Sequence, residues 1–133
     1  MTVENIFGPI DIAISGMQAQ GKRMEVISSN VANARTSDAG NGEPYRRLEA
    51  AFKSDGDLGG VKLDKILPDM GDFLMEFDPA NPQADENGYV AMPNVKLPTE
   101  MINLTIASRM YRANVAVLRR YQQMVENTLE LLR

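Results

Sequence analysis

The fold is decided by residues 6–34, IFGPIDIAISGMQAQGKRMEVISSNVANA, in which apolar residues recur at alternating steps of four and three. Steps that average 3.5 residues place one narrow apolar stripe along a helix, and a second helix covers such a stripe better than a broad globular core does. We therefore predict a first long helix over residues 6–34, terminated near Asn33. The members of its stripe are Ile6, Ile10, Ala13, Met17, Gln20, Met24, Ile27, Val31 and Ala34.

A second series with the same spacing lies at the other end of the chain. We predict a last helix that begins near Pro98, is capped by Thr99, places Glu100 at the positive end of its dipole and reaches Arg133. Further apolar residues lie off both stripes, so more than two helices must meet to cover them. The second stripe is Met101, Leu104, Ser108, Tyr111, Val115, Leu118, Gln122, Val125, Leu129 and Leu132, and the residues off the stripes are Ile12, Ile14, Val26, Ile102, Ile106, Met110, Val117, Tyr121, Met124 and Leu131.

The middle of the chain has no sustained helical period. Residues 45–52 and 61–67 are predicted strands joined by the turn DGDLGG at 55–60, residues 73–77 are a candidate third strand, and residues 78–93 form an extended connector. The predicted fold class is mainly α, with two long terminal helices in an antiparallel coiled-coil-like pair and a small β-hairpin insert between them. The predicted domains are a helical assembly domain, residues 1–37 plus 94–133, and an acidic insert, residues 38–93.

Composition argues against enzymatic chemistry. The chain has no cysteine and no histidine, which removes thiolate and imidazole catalysis and the commonest zinc sites. Asp85 begins an acidic stretch that resembles a calcium loop, but the twelfth position from it is Lys96 instead of glutamate. There is no phosphate-binding glycine motif, and Asp69 and Asp72 lack an apolar surround. We expect no catalytic residue, cofactor, metal or small-molecule substrate.

The charge distribution and the hydropathy of the chain limit which partners and which cellular locations are expected. Residues 38–93 hold twelve acids and five bases, and residues 94–133 hold three acids and six bases. This division favours attraction between copies or relatives and disfavours nucleic acid, although charge runs are equally often solvated faces. We predict no transmembrane segment, because no uncharged apolar run approaches the required length. The N-terminal region does not read as a cleaved signal peptide.

Three segments stand out as motifs: SGMQAQ at 15–20, SNVANART at 29–36 and the run from Glu100 to Asn114. Together they resemble the motifs of bacterial flagellar rod and hook proteins. Within that family, PYRR at 44–47 and the pattern DPxxPxADxNGYV at 78–90 are similar to the proximal rod proteins of the C type, and the resemblance spans nearly the whole chain.

The resemblance implies a structural subunit of the basal-body rod that transmits torque and lines the export channel. It also implies type III export without a cleaved signal peptide and assembly in the periplasm. The implied partners are other rod proteins and further copies of this chain, with the basal-body membrane ring and the export gate as additional candidates. The alternative hypothesis is a soluble helical adaptor or export chaperone that binds a client helix.

Two groups of residues are the predicted sites. Gly16 is read either as a position of close helix approach or as a weak point in the helix, and both readings stay open. The predicted assembly interface is Gly16, Met17, Gln20, Met24, Ile27, Asn30, Val31, Asn33, Met101, Leu104, Arg109, Tyr111, Asn114, Val115, Leu118, Val125 and Leu129. The predicted turn of the insert is Asp78, Pro79, Pro82, Asp85, Asn87, Gly88 and Tyr89.

Overall fold

The structure is a computed structural model that describes residues 4–56 and 59–133, with side chains described from residue 8 onward. Helix α1 covers Glu4–Ala32 and helix α2 covers Leu97–Leu131; the strands are β1 Leu48–Asp55, β2 Gly60–Pro68, β3 Leu74–Phe77 and β4 Tyr89–Met92. Helices therefore dominate, with two small β-pairs between them. The side chain of Ile6, and both Asp57 and Leu58 of the predicted turn, lie outside the described residues.

The two helices lie side by side and run antiparallel. Near the middle of α1, a Cβ atom built on Gly16 would come within 2.7 Å of Asn114 Nδ2 of α2. Fourteen residues further along α1, Asn30 contacts Glu100, fourteen residues earlier in α2. The pairing of residues between the two helices is thus constant over about four helical turns. The missing side chain of Gly16 lets the helices approach closely.

The start of α2 differs from the prediction. The residue that caps the helix is Lys96, in an extended conformation and without a side-chain hydrogen bond, and proline follows in the first turn. Thr99 lies inside the helix, so its predicted capping role was wrong. Glu100 does lie in the first turn, but its side chain is only 1 % exposed. A carboxylate withdrawn from water in this way needs partners of its own, beyond the helix dipole.

The insert consists of two antiparallel strand pairs. Strands β1 and β2 form a hairpin whose register shifts between Ala51 and Phe52, which leaves Asp64 of β2 without an opposite residue. Strands β3 and β4 form the second pair. Strand β4 was not predicted, because its four residues follow a proline-rich connector and carry too little periodicity to be recognised.

The β1–β2 hairpin packs against α1. The hydroxyl oxygen of Ser15 accepts a hydrogen bond from the backbone N–H of Val61 at 3.1 Å, and the guanidinium of Arg23 lies 5.2 Å from the centre of the Phe52 ring. A two-stranded sheet is not stable alone, so these contacts supply the support that it needs.

No helix among the described residues is both long and apolar enough to cross a membrane.

The core is small. Its buried apolar residues are mostly alanine and valine, so the helix pair is held by a thin layer of short side chains. The members are Ala13, Ala19, Val26, Ile27, Val90, Val95 and Ala107. Many larger apolar side chains remain on the surface, in agreement with the second apolar set identified in the sequence.

Candidate assembly interface

A buried cluster of hydrogen-bonding groups joins the helices to the insert; we call Asn30, Tyr45, Arg47 and Glu100 the polar clamp. Asn30 is fully buried near the end of α1. Its Oδ1 accepts hydrogen bonds from the Leu48 N–H and the Tyr45 hydroxyl, both at 2.9 Å. Its Nδ2 donates to the Leu48 carbonyl at 2.9 Å and to Glu100 Oε2 at 3.3 Å. One amide therefore connects both helices and the first residue of β1.

The clamp is completed by an ion pair. Arg47 Nε donates to Glu100 Oε1 at 2.6 Å, and the Arg47 side chain is 18 % exposed. Asp69 Oδ2 and Glu49 Oε2 lie at 3.5 Å and 3.8 Å from Arg47 Nη1. Burial of the guanidinium works against its charged form, but the hydrogen bond and the charge of Glu100 outweigh it, so the pKa of Arg47 is raised above its ordinary value. The contact with Glu100 therefore favours the charged form of the guanidinium.

A second set of contacts ties the segments before β3 and α2 to the clamp. The backbone N–H of Arg47 donates to Asn94 Oδ1 at 2.8 Å, and Asn94 Nδ2 donates to the Asp69 carbonyl at 3.0 Å. Arg46 Nη1 donates to the carbonyls of Asp69 and Gly71, at 3.0 Å and 2.9 Å. The Arg46 guanidinium also lies 4.1 Å from the centre of the Phe73 ring. The insert is thereby fixed relative to the helix pair.

Sequence reasoning did not identify the clamp as a unit. Asn30 was predicted as a member of the assembly interface, and Arg47 appeared only within a family motif. Glu100 was assigned to the helix dipole. The one available signal was the position of Glu100 directly beside Met101 of the apolar stripe. A charged residue there is paired with an opposite charge if it is buried.

The predicted interface residues fall into three classes of exposure. Two are buried, Ile27 and Asn30, and four are exposed, Met101, Arg109, Val125 and Leu129. Asn33 is half-buried and donates its amide to the Ser29 carbonyl at 2.9 Å. The remaining residues are half-buried as well: Gly16, Met17, Gln20, Met24, Val31, Leu104, Tyr111, Asn114, Val115 and Leu118.

The stripe of α2 that faces α1 differs from the predicted one at every second position. Glu100 and Ala107 are almost inaccessible to solvent, and Asn114 contacts α1 at Gly16. These positions are seven residues apart, each one residue before a predicted member of the stripe. Met101 is 53 % exposed, so this member of the predicted stripe is not buried between the helices of one chain, and its place in an assembly interface stays a prediction. The intervening positions Leu104, Tyr111 and Leu118 belong to both the predicted and the observed stripe, and they are half-buried.

Both helices carry an apolar face that the described part of the chain leaves uncovered. On α2 this face, which we call the outer α2 stripe, is Ile102, Ile106, Met110, Val117 and Met124, all about half exposed. On α1, Ile14 is exposed, and a Cβ atom built on Gly21 would meet no atom within 4 Å. Of the other predicted residues off the stripes, Ile12 and Leu131 are exposed, Tyr121 is half-buried and Val26 is buried.

The predicted turn of the insert is held by backbone hydrogen bonds to the side chain of Asp85. Asp85 Oδ1 accepts hydrogen bonds from the N–H groups of Asn87 and Tyr89, both at 2.9 Å. Gly88 has φ +83° and lies so close to the Phe77 ring that a Cβ atom would approach it to 2.9 Å. Among the described residues no group of three or more acidic side chains is arranged to hold a metal ion. Hydrogen bonds within the turn therefore account for this segment.

Comparisons with known proteins agree with one another. Residues 10–38 match a family model described as flagella basal body rod protein, and residues 86–131 match one described as flagellar basal body rod FlgEFG protein C-terminal. The chain is 42 % identical to the flagellar basal-body rod protein FlgC of Salmonella typhimurium strain LT2, over 98 % of each chain. It is 43 % identical to FlgC of Agrobacterium fabrum, over 92 % of this chain and 91 % of the relative. It is 34 % identical to FlgC of Borreliella burgdorferi, over 96 % of this chain and 97 % of the relative.

Proposed function

Because this chain belongs to the FlgC family of flagellar basal-body rod proteins, we propose that its helix pair forms part of the rod wall and lines the export channel. The chain is a structural subunit of the basal body and not an enzyme. The proposal adds where the helices lie in the rod, what covers their apolar faces and how the insert contributes. It also includes type III export without a cleaved signal peptide and assembly in the periplasm.

The observation that carries the proposal is the outer α2 stripe. Ile102, Ile106, Met110, Val117 and Met124 recur at helical spacing over six turns and are all about half exposed. A continuous apolar face of this length marks an interaction surface, because burying it removes apolar area from water. Helices of neighbouring rod subunits are the partners that fit a straight, narrow stripe.

Helix α1 supplies a second contact surface in the same proposal. Ile14, Met17, Gly21, Met24 and Val31 are spaced by three, four, three and seven residues; Ile14 is exposed and the other four are half-buried. Glycine in a helix interior costs roughly 1 kcal/mol relative to alanine, and Gly21 has open space beside it. A neighbouring helix that approaches closely at Gly21 would explain the use of glycine at this position. The coiled-coil-like character of the packing is part of this proposal.

The polar clamp suggests how torque passes through the subunit. Residues 1–37 plus 94–133 form the proposed assembly domain, and residues 38–93 form the proposed acidic insert, which contacts neighbouring rod proteins or the basal-body ring. Asn30, Arg47 and Glu100 connect the two parts through buried hydrogen bonds. Buried polar networks that are fully satisfied are rigid, so force applied to the insert is transferred to the helices without local bending.

The test is a pair of aspartate variants on adjacent faces of α2. Met110→Asp places a charge on the outer α2 stripe, whereas Thr105→Asp places the same charge on an exposed position outside it. We expect both purified variants to keep the parent's helix content by circular dichroism, since neither residue is buried. Met110→Asp should be absent from isolated basal bodies and leave cells non-motile, and Thr105→Asp should assemble and swim.

Normal swimming of cells that carry only Met110→Asp would contradict the proposed role of the stripe. The alternative of a soluble adaptor or export chaperone is not favoured, because the relatives that match over nearly the whole chain are rod proteins. An adaptor would be absent from purified basal bodies of the parent strain. Detection of the chain in that fraction is therefore the first control.

A further inference from the structure

Two asparagines of this chain, Asn41 and Asn87, directly precede glycine, and both are exposed. An asparagine in this position is open to deamidation, because its amide carbon can be attacked by the backbone nitrogen of the next residue. Glycine has no side chain to hinder that attack and allows the backbone conformations that it requires. The contacts around each pair therefore decide how readily the nitrogen reaches the carbon.

The Asn87–Gly88 pair is closed by packing. Gly88 is buried, and a Cβ atom built on it would lie 2.9 Å from the Phe77 ring and 3.1 Å from Pro79. Its N–H donates to the Asp85 carbonyl at 3.0 Å. Closing a five-membered ring at this position would displace these neighbours, so the folded chain disfavours deamidation here.

The Asn41–Gly42 pair has open space around it. Residues 38–43 are all exposed, and a Cβ atom built on Gly42 would meet no described atom within 4 Å. Asn41 Oδ1 accepts a hydrogen bond from the N–H of Glu43 at 3.1 Å. This bond stabilises the negative charge that the oxygen gains when the amide carbon is attacked. The amide carbon of Asn41 is therefore both accessible and activated.

A single carboxylate restrains the attacking nitrogen. Asp38 Oδ1 accepts hydrogen bonds from the N–H groups of Gly40 at 2.8 Å and Gly42 at 3.0 Å. These two bonds lower the pKa of Asp38, so its carboxylate is ionised at neutral pH. The Gly42 nitrogen loses its proton as it attacks, and a negative charge developing beside an ionised carboxylate is unfavourable. Asp38 thus opposes the reaction that the rest of the loop permits.

We propose that Asn41 is a site of spontaneous deamidation whose rate is controlled by Asp38. The Gly42 nitrogen forms a bond to Asn41 Cγ, the Cγ–Nδ2 bond breaks, and the proton lost by the nitrogen passes through solvent to the departing group, which leaves as ammonia. Water then opens the succinimide at either of its carbonyl groups and gives aspartate or isoaspartate at position 41. Each product adds one negative charge to a loop that already carries Asp38 and Glu43.

The modification is confined to the loop. The N–H of Tyr45 donates to the Thr36 carbonyl at 2.9 Å and joins the two ends of the loop, so the polar clamp that follows stays in place. We expect the modified chain to keep its helix content. The reaction needs only the folded chain and water, and it does not depend on the rod function.

The experiment incubates the purified full chain at mildly alkaline pH and follows both asparagines by peptide mapping with mass spectrometry. In the parent, Asn41 should convert while Asn87 stays intact. Asp38→Ala should convert Asn41 about tenfold faster, the factor that one hydrogen bond to a charged acceptor is worth in a rate, with Asn87 unaffected. The matched control is Glu43→Ala, which removes an exposed carboxylate of the same loop but keeps the N–H that bonds to Asn41. This control should change the rate far less.

Two comparisons decide the inference. An Asn41 rate that is unchanged or lower in Asp38→Ala would overturn the control by Asp38, as would an equal gain in Glu43→Ala. The second comparison needs no variant: in guanidinium chloride both asparagines of the parent should convert at similar rates, because the contacts that distinguish them are lost. Faster conversion of Asn87 than of Asn41 in the folded parent would overturn the assignment of the site.

Discussion

Replacement of Glu100 by glutamine is the sharpest test of the polar clamp. The change keeps the shape of the side chain and removes its charge. Glu100 now accepts from two donors, Arg47 Nε at 2.6 Å and Asn30 Nδ2 at 3.3 Å. A glutamine amide has one oxygen and one NH₂ group, so in either orientation it turns a donor towards one of these donors. The substitution therefore breaks the ion pair and leaves one buried group unsatisfied.

The expected loss is about 3 kcal/mol of unfolding free energy. Removing one partner of a buried ion pair costs about 3–5 kcal/mol, and we take the lower end. The reason is that Arg47 is 18 % exposed and retains Asp69 at 3.5 Å as a weaker partner. Against the roughly 5–15 kcal/mol that holds a typical domain together, this is a large share. At an m-value of about 2 kcal/mol/M it lowers the urea midpoint by about 1.5 M.

The assay is urea unfolding of the purified chain followed by far-UV circular dichroism, with hydrogen exchange of the Leu48 amide as a local readout. The matched control is Glu49→Gln, because Glu49 lies 3.8 Å from the same guanidinium but is 70 % exposed. An exposed pair of this kind is worth at most about 1 kcal/mol. Equal midpoints for Glu100→Gln and Glu49→Gln would refute the reasoning, as would an unchanged exchange rate at Leu48.

Two further predictions concern the helix pair and the hairpin. Gly21→Ala should raise the unfolding free energy by about 0.5–1 kcal/mol through helix propensity. Gly16→Ala should give no gain, because its Cβ would lie 2.7 Å from Asn114. Thermal unfolding of the two variants measures the difference, and equal gains would contradict the close approach of the helices at Gly16. The hydrogen bond and charge of Lys53 lower the pKa of Asp64, so this carboxylate stabilises the fold above the ordinary aspartate pKa and the contribution fades as pH falls through the lowered value. In Lys53→Met the NMR titration midpoint of Asp64 should rise towards that ordinary value, and an unchanged midpoint would contradict the pairing.

The existence of the two helices followed from the sequence because helical periodicity is a local property. Residues three and four apart share a face wherever the chain is helical, so the apolar series at both ends could be read without knowing what each helix packs against. The β1–β2 hairpin was recognised for a similar reason, since its strands flank a glycine-rich turn. Strand β4 was missed because its four residues directly follow a proline-rich connector and show too little alternation to be recognised.

The rotation of α2 about its axis was decided by tertiary contacts. The sequence placed Met101 on the apolar stripe of α2, but the structure turns Glu100 inward because Arg47 and Asn30 lie there to satisfy its carboxylate. The partners of Glu100 come from residues 53 and 70 positions away, and no local pattern encodes such pairing.

The sequence by itself determined that this chain has two long helices with more apolar surface than one partner can cover, and that it lacks the side chains for common enzymatic chemistry. Only the tertiary structure decided which stripe is used within the chain and which stays exposed. The physical reason is that a narrow seam can be shifted by one residue at little cost in apolar burial. The close approach at Gly16 and the buried carboxylate of Glu100 then select one rotation.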